Sequence, residues 1–231
     1  MSADPIIIDV EQGTDRWKQE RCGKITASRA GDVIATKTRG KGEAADRTKY
    51  RVEILCERLT RIPVEQYESR EMRWGKEQEP FARAAYELHA GVFVDQAGFV
   101  VHSDLPYFGC SPDGLVGDDG MIQIKCPNTT THVDWMLEGR IPVEHVPQML
   151  AELSCTGRKW IDFVSFDPRL PEHLQLFVRR YHRDDALVAA LEAEVIHFND
   201  ECGAVLEQLP GAPQLAAAVL DGPREDDPLG F

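Results

Sequence analysis

The sequence has no long apolar run: nothing in its 231 residues approaches the roughly 18 to 20 consecutive apolar residues that a membrane-crossing helix requires. It has no CxxC pair. Its six cysteines, Cys22, Cys56, Cys110, Cys126, Cys155 and Cys202, stand apart, which argues against a disulfide framework or a zinc site and favours a reducing cytoplasm. The stretch from Met1 to Val10 contains Asp4 and Asp9 but no Lys or Arg, so it does not read as a secretory signal. No internal repeat is visible. Positive charge is also scarce, with 26 Lys+Arg against 39 Asp+Glu, a net charge of -13 and a pI near 5.0. As a bare sum, that balance disfavours a nucleic-acid partner. What is present, 42% hydrophobic and 28% charged residues, describes a globular chain large enough for one well-buried domain.

The negative charge is unevenly spread. Residues 1–60 hold 12 basic and 10 acidic side chains, whereas residues 184–231 hold Arg224 alone against 11 acids. Acidity is therefore mostly a C-terminal property. The densest basic stretch runs from Lys37 to Arg51, and charge alone reads it as a solvated loop and helix face.

Periodicity predicts short helices in the first sixty residues. Thr14 and Asp15 cap one that Gly23 ends; Thr26 caps a second with Ala27, Ala30, Val33 and Ile34 on one face; a third runs from about Ala44 to Leu59. Ser69 opens a longer pattern in which Met72, Phe81, Ala85 and Leu88 recur at helical spacing up to Gly91, and Pro80 is expected to kink or divide it. From Val92 to Cys126 the texture becomes that of short strands and hairpins, with a turn at Asp118 to Gly120. Helices near Thr131 to Glu138 and Val143 to Cys155 follow, then two strands, then a helix from Asp184 to about Leu209. This order predicts an α/β fold, one mixed sheet flanked by helices. We expect a single domain over 1–209, with a helical part at about 9–60, a core at about 61–209, and a tail at 210–231.

The segment richest in chemistry is GCSPDGLVGDDGMIQIKCP, residues 109–127. Side chains alternate across a strand, so Gln123 and Lys125 share a face, and a hairpin returns that face towards Asp113. An acid, an amide oxygen and an ammonium then converge. Phosphodiester hydrolysis uses such a set: oxygen ligands hold a hard divalent cation, and a lysine orients water and offsets developing charge. Taken alone, the residues leave a second reading open, in which Pro112 to Gly114 is a plain turn and Lys125 a strand-edge residue.

SPDG followed by QIKCP resembles the PD-(D/E)xK nuclease motif as it occurs in the phage lambda exonuclease family, the YqaJ-like viral recombinases. VEQGTDRWKQERCGKITAS, RWGKEQEPFA, PQMLAEL and FDPR follow the family's order as well, over about residues 9–200. The resemblance implies a restriction-endonuclease-like core with Asp113 as central metal ligand and Lys125 as catalytic lysine. It also implies the Ile124 carbonyl and Glu79 as further metal contacts, Gln148 as a supporting glutamine, and Arg21 and Ser28 as holders of a DNA 5′ phosphate. On their own, Glu79 reads as a helical acid paired with Arg83, Ser28 as a capping hydroxyl and Arg21 as a surface cation.

One position departs from the pattern. Gln123 stands where the motif has Glu or Asp; its amide oxygen can still coordinate Mg2+, without the charge. The resemblance implies a Mg2+-dependent 5′→3′ exonuclease acting on 5′-phosphorylated double-stranded DNA ends, with Mn2+ as a substitute ion. The implied products are mononucleotides and a 3′ single-stranded overhang. It further implies a ring-shaped homotrimer, a cognate single-strand-annealing protein and a phage or prophage gene expressed in a bacterial cytoplasm. Two alternatives stand beside it: a DNA-end-binding module whose hydrolysis is weakened through Gln123, and a PD-(D/E)xK endonuclease. An iron-sulfur cluster is not expected, because Cys155 and Cys202 stand alone.

Overall fold

The computed structural model describes residues 5–36, 43–65 and 68–210. The expected loop at 36–44 and the tail at 210–231 therefore lie largely outside the described residues, as do Lys37, Arg39 and Lys41 of the basic run.

The N-terminal part contains β1 (Ile6–Ile8), α1 (Asp15–Arg21), β2 (Ile25–Thr26), α2 (Ala30–Val33) and α3 (Ala45–Thr60). Thr14 caps α1 by accepting from the Trp17 N–H. After it, Gly23 takes φ +72°, a left-handed turn that glycine makes without strain. Thr26 does not cap a helix as expected. It is the last residue of β2, which pairs in parallel with Phe108 and Gly109, and a 3-10 turn separates it from α2. A two-residue strand between short helical pieces is too brief for periodicity to reveal.

A 21-residue helix follows, α4 (Arg70–Ala90), capped by Ser69 and closed by Gly91 at φ +66°. Pro80 lies inside it and does not divide it. The buried face is Ala82 and Tyr86, with Ala85 of the expected stripe packed beside them, whereas Met72, Phe81 and Leu88 of that stripe are exposed. The face turned inward also carries Glu79 and Arg83, polar residues that hide it from a hydrophobicity pattern.

The strands β3 (Phe99–Val101), β4 (Phe108–Cys110), β5 (Gly114–Val116), β6 (Gly120–Lys125), β7 (Trp160–Phe166) and β8 (Leu176–His182) complete two four-stranded sheets. The orders are β1-β3-β4-β2 and β5-β6-β7-β8, so the α/β expectation holds with two mixed sheets in place of one. The division falls at Ser111 to Asp113. Pro112 has no N–H to give a ladder, and the Gln12 side-chain amide, not a neighbouring strand, satisfies its carbonyl at 2.9 Å and that of Ala97 at 2.8 Å. Among the described residues an isolated bridge, Asp95 with Leu115, ties the segment before β3 to β5.

In the second sheet β6 and β7 are parallel, which demands a long crossover; it is made by α5 (Thr129–Glu138) and α6 (Val146–Thr156). One face of β6 turns Met121 towards Met149 and Leu153 of α6; the other turns Ile122 and Ile124 towards Ala82 and Tyr86 of α4. Both faces are covered, so β6 is held on two sides. Gly120 opens it because a Cβ there would lie 2.0 Å from the Trp160 ring. The last helix, α7 (Asp185–Leu206), is capped by Asp184 and buries Leu191, Val195 and Phe198 in a third core with Ile25 and Ile54.

That helix also explains where much of the charge goes. Glu201 accepts from Arg47 and Arg51 of α3, each at 3.0 Å, and Glu43 takes Arg51 at 2.6 Å. Arg47 is buried. The described part of the basic run is thus spent largely on internal ion pairs, not on an open surface.

Candidate active site

Extending the β5–β6 register by one residue sets Asp113 opposite Gln123, since Gly114 pairs with Ile122. The Asp113 carboxylate accepts the backbone N–H of Ile124 at 2.6 Å. Burial raises its pKa, while Lys125, that hydrogen bond and Arg83 pull it down. The hairpin turn keeps Asp118 and Asp119 exposed, and Asp119 pairs with Lys159 at 2.9 Å.

Glu79 reaches the same place from α4. Arg83, one turn later, donates to Glu79 Oε1 at 2.5 Å and to the Asp113 carbonyl at 3.1 Å. The simple helical pairing of Glu79 with Arg83 is therefore real, yet the arginine also ties α4 to the motif turn. Burial and the nearby Asp113 charge raise the Glu79 pKa, the mark of two carboxylates crowded together.

Lys125 extends from the far end of β6 and donates to Gln148 Oε1 on α6 at 3.3 Å. Gln148 in turn donates from Nε2 to Glu152 Oε1 at 2.7 Å. Sequence reasoning missed Glu152, although PQMLAEL contains it: Gln148 and Glu152 are four apart on a helix and so share a face. Burial and Asp113 push the Glu152 pKa up to about 8. His145, just before α6, is a second unexpected neighbour, its pKa lowered to about 4 by burial and then by Lys125. Gln123 is wholly buried, and neither polar atom of its amide has a hydrogen-bond partner.

Arg21 approaches from the other sheet. It donates to Ser111 Oγ at 2.9 Å, stacks over Trp17 at 4.2 Å, and has no carboxylate within ion-pair distance among the described residues. Trp17 Nε1 also donates to Ser111 Oγ at 2.9 Å. Ser111, two residues before Asp113, was missed because serine at a turn carries no signal of its own. With Thr26, Arg21 lines a cleft of about 500 Å³ of mixed charge, in which Lys24 and Arg29 stand beside Glu53, Glu57, Glu65 and Glu68. Ser28 is exposed, its hydroxyl 3.3 Å from that of Thr26, and no hydrogen bond joins it to Arg21.

The profile of the YqaJ-like viral recombinase domain matches residues 16–159, more than half of the chain. The chain belongs to the YqaJ-like viral recombinase family. Among solved structures, this recombinase-family chain is similar to the alkaline exonuclease LHK-Exo from Laribacter hongkongensis, at 44% identity over 88% of this chain and 98% of that one, with a TM-score of 0.78. The complex of LHK-Exo with dAMP matches with the same identity and coverage, at a TM-score of 0.79. A phage-related exonuclease from Haemophilus somnus 129PT shares the fold at 13% identity, covering 81% of this chain and 96% of that one, with a TM-score of 0.64. Comparison with curated proteins returns no match. The recombinase-family fold is of the PD-(D/E)xK type, and the chain is a nuclease.

Among the described residues no group of three or more His, Cys, Asp or Glu side chains stands ready to hold a metal ion. The donors around Asp113 are instead two carboxylates, an amide and a backbone carbonyl, and only the first two carry charge. That set still fits a hard cation. Glu79 is strained electrostatically by Asp113, and Gln123 Oε1 is a buried acceptor without a donor, both of which a cation would relieve. No described helix is long and apolar enough to cross a membrane.

Proposed function

We propose that this chain is a Mg2+-dependent exonuclease that enters double-stranded DNA at a 5′-phosphorylated end and hydrolyses one strand 5′→3′, releasing mononucleotides and leaving a 3′ overhang. The observation that carries this reading is the placement of Arg21, a largely desolvated guanidinium without a carboxylate partner, on Ser111, two residues from Asp113. A phosphate grip and a hydrolytic centre thereby share one short loop.

In this reading Asp113, Glu79, the Gln123 amide oxygen and the Ile124 carbonyl hold Mg2+, or Mn2+ in its place. When bound, the cation supplies charge neutralisation and Lewis-acid polarisation of the scissile phosphate. Lys125, held by Gln148, orients the attacking water and offsets charge on the phosphoryl oxygens as the bond to the departing 3′ oxygen breaks. Arg21 fixes the terminal phosphate, and Ser28, on the 3-10 turn that follows Thr26 of the cleft wall, adds a hydroxyl at its rim. The resemblance extends the proposal to a ring-shaped homotrimer threaded by DNA, for which the exposed Phe81, Leu88 and Phe93 offer apolar surface. It also extends it to a cognate single-strand-annealing partner in the bacterial cytoplasm.

Linear duplex carrying a 5′ phosphate, incubated with MgCl2, is expected to release acid-soluble mononucleotides and to retain the complementary strand intact. Loss of the 3′-terminal label first would reverse the polarity, and nicking of covalently closed circles would move the chain to the endonucleases. The unpartnered Gln123 amide favours one second reading, an end-binding module without turnover; tight end binding with no nucleotide release would establish it.

A further inference from the structure

Glu152 is the carboxylate that the site has no evident use for. It is 2% exposed, sits between Ala151 and Leu153 on the core face of α6, and has no ion-pair partner among the described residues. One oxygen accepts from Gln148; the other is buried without any partner. A buried carboxylate that meets no counter-ion is costly, and an apolar side chain of the same size would pack there at lower cost. Its two charged neighbours in electrostatic reach are Asp113 and Lys125, so it stands directly behind the hydrolytic centre.

Two properties follow from its chemistry. A lysine ammonium donates and cannot accept, so the Gln148 amide must turn its oxygen towards Lys125 Nζ and its NH2 towards Glu152, whose Oε1 accepts it, as observed. It is also the acid on the α6 side of β6, the side that Gln123 faces with a neutral amide whose atoms are both unpartnered; burial and the Asp113 charge hold it protonated in the metal-free protein, and a cation beside Asp113 would offset that charge. We infer that Glu152 is a positioning residue of the hydrolytic centre: it fixes the Gln148 amide against Lys125 and, once a cation offsets the Asp113 charge, supplies from α6 the negative charge that Gln123 does not carry on β6. The inference rests on the metal-dependent reading above, and it makes the departure at Gln123 a relocation of charge.

The test measures Mg2+ binding to the intact protein by titration calorimetry, with MgCl2 alone and no DNA, for the unaltered chain, Glu152→Gln, Gln123→Glu and the double variant. Glu152→Gln keeps the shape and the acceptor and removes the charge; it is expected to weaken Mg2+ binding about 10- to 100-fold, the usual cost of losing a supporting group behind a metal site. The double variant is expected to return to within about threefold of the unaltered chain. Far-UV circular dichroism and the metal-free melting point establish that each variant is folded; a neutral isostere at a buried site should melt no lower. Unchanged Mg2+ affinity in Glu152→Gln, or no recovery in the double variant while Gln123→Glu alone still binds Mg2+, overturns the inference and leaves the nuclease reading intact. Failure of the unaltered chain to bind either Mg2+ or Mn2+ overturns the metal-dependent reading, and this inference with it.

Discussion

The backbone N–H of Ile124 donates to the Asp113 carboxylate at 2.6 Å, joining the acid to the strand that carries Lys125. The relationship leaves one Asp113 oxygen engaged by the fold and one free to act. On the proposed reading the acid serves both structure and chemistry, whereas Lys125, at the strand's end with one long hydrogen bond to Gln148 among the described residues, serves chemistry.

Lys125→Ala should consequently abolish nucleotide release, by about 10³-fold or more, while binding of a fluorescent duplex end stays within about threefold and the melting point hardly moves. Loss of cooperative unfolding in this variant would instead make the lysine a strut.

Arg21→Ala should slow digestion of 5′-phosphorylated ends about tenfold or more and leave 5′-hydroxyl ends nearly unaffected, because the lost contact is charge-assisted. Arg21→Lys should not restore the difference, since a lysine lacks the planar fork that stacks on Trp17. Equal effects on both kinds of end would remove Arg21 from the phosphate.

A half-buried network on β7 and β8 contributes to stability. Asp162, almost wholly buried on β7, accepts from Arg180 Nε and Nη2 at 2.8 Å each and from Tyr86 Oη at 2.7 Å, and Arg180 lies 3.5 Å over Trp160. Asp162→Ala leaves the buried Tyr86 phenol without its acceptor, whereas the half-exposed Arg180 turns to solvent, and should cost about 1 to 3 kcal/mol in urea unfolding. Tyr86→Phe, which removes one hydrogen bond, should cost about 1 kcal/mol.

In the metal-free protein, Glu152 should make stability fall as pH rises from about 4.5 towards 8, against an opposite contribution below about 6.5 from His145, whose pKa the fold lowers to about 4. Glu152 holds its proton in the fold up to about 8, whereas the unfolded chain releases it near the ordinary glutamate value. The folded state thus binds more protons in that window, so the contribution is complete below it and lost as pH passes the folded value. Glu152→Gln should flatten this part of the profile, a difference on the order of a few kcal/mol at pH 8 in urea titrations. Parallel profiles for the two proteins would mean that Glu152 is ionised in the fold throughout.

The elements with strong local signals were legible in the sequence. Thr14, Ser69 and Asp184 cap α1, α4 and α7 where their side chains suggest, and the β5–β6 hairpin turns where the Asp118 to Gly120 stretch suggests. The division into two sheets was not legible, because it depends on Gln12 reaching the carbonyls of Ala97 and Pro112 across at least 85 residues of chain. The inward face of α4 was misread for a related reason: it presents Glu79 and Arg83 to the motif turn, so Met72, Phe81 and Leu88 fell on the outside. At the site, the motif pointed to Asp113, Gln123 and Lys125, but Ser111 and Glu152 matter only through partners that folding supplies. The acidic balance misled in the same way, since Glu201 is an internal counter-ion for Arg47 and Arg51.

The parallel pairing of β6 with β7 has a consequence for the order of manufacture. Asp113 and Lys125 leave the ribosome well before Gln148, Glu152 and the strand Trp160–Phe166 against which β6 is laid. A nascent polypeptide halted short of β7 has the β5–β6 hairpin but not the strand on its other edge. The surroundings that Asp113 and Lys125 have in the fold, Gln148 and Glu152 on α6 and the parallel strand β7, are therefore all contributed by later stretches of the chain.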